Sequence, residues 1–280
     1  MIRRLSPAKI NLHLRVLGKR EDGYHEIATL MQRISLCDEM EFHFIERGVK
    51  VSCPGSSLPG NEDNIAHRAA VLILERSRRK EGIHISIHKR IPVAAGLGGG
   101  SSNAATTLVT LNELMGLDLS TDDLMKMGAK LGADVPFFIF RKTAWAFGIG
   151  DRLQAVDTIP NLWFVLINPR FTTSTKMVYE RLNLQLTKQE FKYKCPELNT
   201  IEDLMRVLHN DLEKVTMALH PVLQELKDLL MHHGALGALM SGSGPTVAGF
   251  FEEESEALKA EESLSKIGKD NWLVFRAHSI

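Results

Sequence analysis

Cysteine is scarce and scattered: Cys37, Cys53 and Cys195 are the only three in 280 residues, and none belongs to a CxxC pair. An odd, dispersed set suits a reducing compartment and excludes a disulfide scaffold. Net charge is missing as well. Lys plus Arg and Asp plus Glu are both 34, so the formal charge is +0 and no global basic field favours nucleic acid or an anionic membrane. Long hydrophobic runs are absent: residues 69–74 and 163–167 are far too short to span a bilayer, and Arg3 and Arg4 lead into no apolar signal segment. These absences point to a cytoplasmic protein with no membrane partner. There are no internal repeats, and His84 and His88, which share a strand face, have no third ligand at metal spacing, so they read as solvent-facing.

What the chain does have, at 44% hydrophobic and 24% charged positions, is enough apolar material for one or two domains with real cores. Alternation predicts strands over residues 2–16, with Pro7 interrupting, in short pieces over 39–53, and over 83–87. Helical spacing covers 64–79, and a helix from Asn103 through Met115 follows a glycine-rich run. Ser120 to Asp123 is a good N-terminal cap for the next helix, which Gly132 ends. Residues 137–140 then read as an apolar strand after Asp134, with another over 144–150. The stretch 151–161 is the best boundary candidate, giving domains 1–155 and 156–280. The second half reads strand at 163–167, helices near 174–182, 201–219 and 221–232, a glycine turn between two strands at 241–244, an acidic helix from 252 and a last strand at 272–275. This order predicts an α+β protein of two domains.

The densest chemistry lies in residues 92–108, PVAAGLGGGSSNAATTL. Glycine admits positive φ and lets a ligand approach without a Cβ in the way. A helix starting just downstream offers unpaired N–H groups and the positive end of a dipole, which suits phosphate. Two familiar phosphate loops are excluded. The P-loop needs Lys and Ser or Thr after its last glycine, but Gly100 is followed by Ser101, Ser102 and Asn103. The dinucleotide pattern starting at Gly96 would need glycine at its sixth place, which is Ser101.

Other candidates carry ordinary readings beside chemical ones. Lys9, between Ala8 and Ile10, is by pattern a solvated strand residue rather than a placed cation. Tyr24 and His25 follow an Asp-Gly turn and would be presented from a loop mouth. Asp134, at a junction between elements, is by pattern a turn residue rather than a base.

Three stretches taken together, PAKINLHLRVLGKREDGYHEI, GLGGGSSNAATTL with GADVPFF, and MSGSGPT, resemble the GHMP kinase superfamily. DGYHE is their most specific part, and it resembles the branch acting on a substrate with a cytidine diphosphate moiety. The resemblance implies an N-terminal domain like domain 2 of ribosomal protein S5 and a ferredoxin-like C-terminal domain. It implies transfer of phosphate from ATP, with Mg2+, to the 2-hydroxyl of 4-diphosphocytidyl-2-C-methyl-D-erythritol, in the non-mevalonate route to isoprenoids. Lys9 and Asp134 match the catalytic pair. Gly96, Leu97, Gly98, Gly99, Gly100, Ser101 and Ser102 match the phosphate loop, which Pro92 introduces, and Asn64, Lys89 and Asn103 fall where the nucleotide is contacted. Asn11, Tyr24, His25, Thr175 and Tyr179 match substrate-binding positions. No magnesium ligand is assigned, and both a monomer and a homodimer fit. A sensor on the same fold would be expected to lose the Lys or the Asp, and an S5-like RNA binder should be basic.

Overall fold

β1 (Ile2–Lys19) and β2 (His25–Ile45) are long, twisted partners joined by the turn at residues 20–24. The Arg20 N–H donates to the Tyr24 carbonyl at 2.8 Å, and Gly23 takes φ +86°, a value that suits glycine. The computed structural model describes residues 1–77, 79–182, 193–268 and 271–280. β3 (Val49–Ser52), α1 (Ile65–Leu74), β4 (Gly82–His88), α2 (Gly99–Met115), α3 (Thr121–Ala129), α4 (Val135–Phe140), β5 (Ala144–Gly148) and β6 (Arg152–Ala155) follow. Next come β7 (Trp163–Asn168), α5 (Thr175–Glu180), α6 (Ile201–Val207), β8 (His209–Asn210), α7 (Glu213–Leu219) and α8 (Val222–His232). β9 (Gly237–Met240), β10 (Val247–Phe251), α9 (Glu254–Ile267) and β11 (Leu273–His278) complete the order.

The chain forms two compact units, the first being Met1–Ala8, Cys37–Ile91 and Gly98–Arg141. In it β3 runs parallel to β4, and β4 pairs antiparallel with the end of β2, Glu39 opposite His88 and Ile45 opposite Gly82. α1 packs on α2 through small faces, Ala66, Ala69 and Ala70 against a helix that buries Ala104, Ala105 and Leu108, so the two backbones come close. The segment expected as a strand at 137–140 is instead helix α4. Pro136 sits in its first turn, where a missing N–H leaves no helical bond unmade, and a short run buried on all sides carries no periodicity to separate helix from strand. The helix expected over 64–79 ends at Leu74, and residue 78 lies outside the described residues.

The second unit is Lys9–Leu36, Pro92–Leu97 and Lys142–Ile280. One sheet has the order β6-β5-β2-β1-β8, with β8 parallel to β1 at His13 and Leu14. The other, β11-β7-β10-β9, is antiparallel throughout and arises from a strand, helices, two strands, a helix and a strand, the ferredoxin-like order. α8 and α9 cover it, burying Leu223, Leu226, Leu230, Ala257 and Leu264 against Val165, Ile167 and Phe251. Each such Leu contributes about 1.5–3 kcal/mol. Thus the α+β expectation holds.

Pro7 does not interrupt β1. The Lys9 and Asn11 N–H groups, which alternate with Pro7 on one edge of the strand, donate to the Leu97 carbonyl and Ser241 Oγ and not to β2, so a missing N–H at Pro7 falls on the edge facing away from that partner strand. The pieces expected over 39–53 are the end of β2 and the separate β3. The helical stretch expected over 201–219 is broken by β8, where Asn210 turns inward and its Oδ1 accepts the Leu212 N–H at 3.0 Å. Among the described residues, no helix is long and apolar enough to cross a membrane.

Candidate active site

In the first unit the glycine run ends in a helix start with no side-chain cap. Gly98 holds the N-cap place in the left-handed region, φ 69°, and its carbonyl accepts the Ser102 N–H at 2.9 Å. The N–H groups of the first turn therefore have no capping side chain and remain available to an anion. Gly99 is tightly enclosed: a Cβ there would lie 3.0 Å from Ile91 Cγ2 and 3.2 Å from Lys89 Nζ. Ser102 and Asn103 are buried, while Gly100 is exposed.

Lys89 and Asn103 are brought together, with Lys89 Nζ donating to Asn103 Oδ1 at 3.3 Å. Both also bond Asp38, a buried carboxylate that no motif or spacing singles out, since its partners lie 51 and 65 positions away. Asn64 serves its own helix: Oδ1 accepts the Ala66 N–H at 3.0 Å and Nδ2 donates to the Pro59 carbonyl at 2.9 Å. Asp134 is half-buried at the N-cap place of α4, where its side chain makes no capping bond. The turn before it adjoins the loop, because a Cβ on Gly132 would lie 3.8 Å from Ser101 Oγ.

In the second unit Lys9 is 4% exposed, so the solvated reading of its pattern is corrected. Residues 8–14 of β1 are all buried, and a strand covered on both faces gives no outward side to a lysine. Lys9 Nζ donates to Asn11 Oδ1 at 2.6 Å, Asn11 Nδ2 to Thr29 Oγ1 at 2.8 Å, and Thr29 Oγ1 to the His13 carbonyl at 2.6 Å. The turn 241–244 closes over this row. A Cβ on Gly242 would lie 3.4 Å from Asn11 Oδ1 and 3.5 Å from Lys9 Nζ, while Ser241 Oγ donates to the Gly96 carbonyl at 3.0 Å. Asn210 holds the turn, donating to the carbonyls of Met240 and Gly242 at 2.7 and 2.8 Å. Leu97 is buried and Pro92 half-buried; the Leu97 carbonyl accepts the Lys9 N–H at 3.0 Å.

His25 and Tyr179 meet with ring centroids 4.9 Å apart at 31°. Tyr24, by contrast, is exposed, at 59%. Burial, and then the Lys19 charge, push His25 below the ordinary histidine value, so it is a neutral ring near pH 7. Thr175 shares a hydrogen bond of 2.8 Å with Ser243, whose carbonyl also accepts from Thr173 at 2.9 Å. Sequence reasoning missed one further group: His13, with Nδ1 at 2.6 Å from the Val207 carbonyl and Nε2 at 2.8 Å from the Tyr193 hydroxyl. The carbonyl can only accept, so Nδ1 carries the proton and Nε2 accepts from the tyrosine.

Among the described residues no three His, Cys, Asp or Glu side chains gather to hold a metal. Of the two loop hydroxyls, Ser102 is buried and engaged by Ser6, whereas half-buried Ser101 has the oxygen chemistry that suits a magnesium ion keeping most of its ligands from phosphate and water.

Two family models match the chain: GHMP kinases N terminal domain over residues 64–142 and GHMP kinases C terminal over 183–270. A 4-diphosphocytidyl-2-C-methyl-D-erythritol kinase of Syntrophus aciditrophicus is 59% identical over 280 residues, covering 100% of both chains. The chain belongs to the 4-diphosphocytidyl-2-C-methyl-D-erythritol kinase branch of the GHMP kinases. A branch member of the same name from Syntrophotalea carbinolica is 50% identical over 278 residues, 99% of this chain and 98% of its own. A crystal structure of 4-(cytidine 5'-diphospho)-2C-methyl-D-erythritol kinase matches this GHMP kinase with a TM-score of 0.83 at 34% identity, covering 99% of each chain.

Proposed function

We propose that this GHMP kinase transfers the γ-phosphoryl group of ATP to the 2-hydroxyl of 4-diphosphocytidyl-2-C-methyl-D-erythritol, in the non-mevalonate route to isoprenoids. The observation that carries the proposal is the uncapped first turn of α2 behind left-handed Gly98, a set of N–H donors built for phosphate, in a chain that matches this branch along its whole length. Phosphoryl transfer asks little covalent work of a protein, so placement and charge neutralisation dominate. Gly96, Leu97, Gly98, Gly99, Gly100, Ser101 and Ser102 would cradle the phosphates, with Pro92 setting the entry to the loop. Lys89 and Asn103 would contact the nucleotide. Asn64 would do so through the helix start it caps, its side chain being engaged there.

In the same reading Asp134 accepts the proton of the attacking hydroxyl and Lys9 stabilises the transferring group. Asn11 and Thr175 hold the substrate, Tyr24 and Tyr179 offer faces to the cytosine, and His25 reads its edge. Bound magnesium would neutralise phosphate charge, and Ser101 is the loop hydroxyl that would help to hold it. Residues 1–155 and 156–280 are kept as the two halves of the kinase, one family segment falling in each. The test is ADP release measured with the cytidyl substrate against free methylerythritol. Turnover only with the cytidyl compound supports the reading; equal turnover of both, or none with either, contradicts it.

A further inference from the structure

The helix that starts at the glycine loop is held from beneath by a carboxylate to which the roles above give no part. Asp38 is 0% exposed. A carboxylate so deeply buried persists only where donors replace its water. The N–H groups of Arg90 and Ile91 donate to Oδ1 at 2.8 and 2.9 Å, and the Lys89 ammonium and the Asn103 amide, the latter at 3.0 Å, donate to Oδ2. These donors are themselves linked. Besides the Lys89 to Asn103 bond, Asn103 Nδ2 reaches Ser6 Oγ at 2.9 Å, and Ser6 donates to Ser102 Oγ at 2.8 Å. One acid thus fixes the strand exit at 89–91, the Lys89 ammonium beside Gly99, and Asn103, which is linked through Ser6 to Ser102 in the first turn of α2, all within the first unit.

We infer that Asp38 is a positioning residue for ATP, presetting Lys89 and the first turn of α2 in one arrangement before the nucleotide arrives. The inference rests on reading that turn as the phosphate site. Donors already in place need no reordering on binding, so affinity depends on whatever holds them there. Asparagine is nearly isosteric at this position but offers one acceptor oxygen where Asp38 offers two. Its amide would face either the Arg90 and Ile91 N–H groups or the Lys89 and Asn103 donors, and in both cases a donor meets a donor.

Asp38→Asn is tested by titration calorimetry of the full-length enzyme with ATP and, separately, with the cytidyl substrate. The expected result is an ATP Kd raised roughly 10- to 100-fold, the range lost when partners that orient a binding group are removed, with the cytidyl Kd within about twofold of wild type. Ser6→Ala, which removes only the outer link, should weaken ATP by a smaller factor in the same selective way. A folded Asp38→Asn enzyme with an unchanged ATP Kd overturns the inference, as does an equal loss for both ligands, which marks a merely structural role. Should Asp38→Asn fail to fold, Ser6→Ala decides: selective weakening supports the inference and unchanged binding overturns it. Wild-type enzyme that binds no ATP would instead refute the nucleotide reading itself.

Discussion

Gly96→Ala should be among the most destabilising single-methyl additions in the chain. Gly96 has φ +78°, and a Cβ there would lie 2.1 Å from the Ser241 carbonyl oxygen and 3.2 Å from that of Gly244. Those neighbours are backbone, so no side-chain rotation relieves the clash. The left-handed conformation costs an alanine about 1–2 kcal/mol. Displacing packed backbone adds about 1–3 kcal/mol, and loss of the Ser241 hydroxyl bond to the Gly96 carbonyl about 1 kcal/mol more. The sum, about 3–6 kcal/mol, corresponds to a Tm lowered by roughly 6–24 °C for a chain of this size. Gly116→Ala is the control: φ there is +62°, but nothing lies within 4 Å of the added methyl, so only the conformational cost of about 1–2 kcal/mol applies. Calorimetric melting of both variants separates strain from collision. If the two melt at the same temperature, the close approach of the 92–97 and 241–244 turns is not what requires a glycine at position 96.

Asp134→Asn should leave ATP binding intact and lower kcat by roughly 10²- to 10⁴-fold, measured as ADP release; a loss under about tenfold would assign it an orienting role instead. Tyr24→Ala and Tyr179→Ala should each raise KM for cytidyl and uridyl analogues alike, by roughly 5- to 150-fold for about 1–3 kcal/mol of stacking, whereas His25→Ala should erode the preference between the two bases. A full preference retained in His25→Ala would shift base reading to the loop backbone. His13 is held below 6.5 chiefly by burial, with His209 and Arg15 adding to the effect against the Val207 carbonyl and Asp211. A depressed histidine binds its proton more readily when unfolded, so its contribution is complete above 6.5 and is lost as pH falls from there through the lower folded value. Denaturant melts between pH 7 and 5 should show that decline, and His13→Gln should flatten it.

Most strands and helices could be read from periodicity, because a sheet or helix with one wet face writes that face into the sequence. Legibility failed where that condition failed. Lys9 lies in a segment of β1 covered on both sides, and α4 is buried all round, so neither shows alternation or a stripe. The glycine loop and the 241–244 turn were legible because positive φ and close backbone approach select glycine directly. Asp38, His13 and Asn210 were not, since each acts through partners more than fifty positions away or through carbonyls that any residue carries, as Lys89, Val207 and Met240 illustrate. The chemistry-bearing residues that stood out did so through a family motif rather than through spacing.

The central claim is the identity of the bond formed, and phosphorus NMR of the reaction mixture reads it directly. With ATP, magnesium and the cytidyl substrate, the γ-phosphate signal should be replaced by a phosphomonoester resonance coupled to the methyl-bearing carbon 2 of the erythritol, with the diphosphate of the substrate intact. Release of inorganic phosphate alone, or a phosphoester at any other hydroxyl, would contradict it.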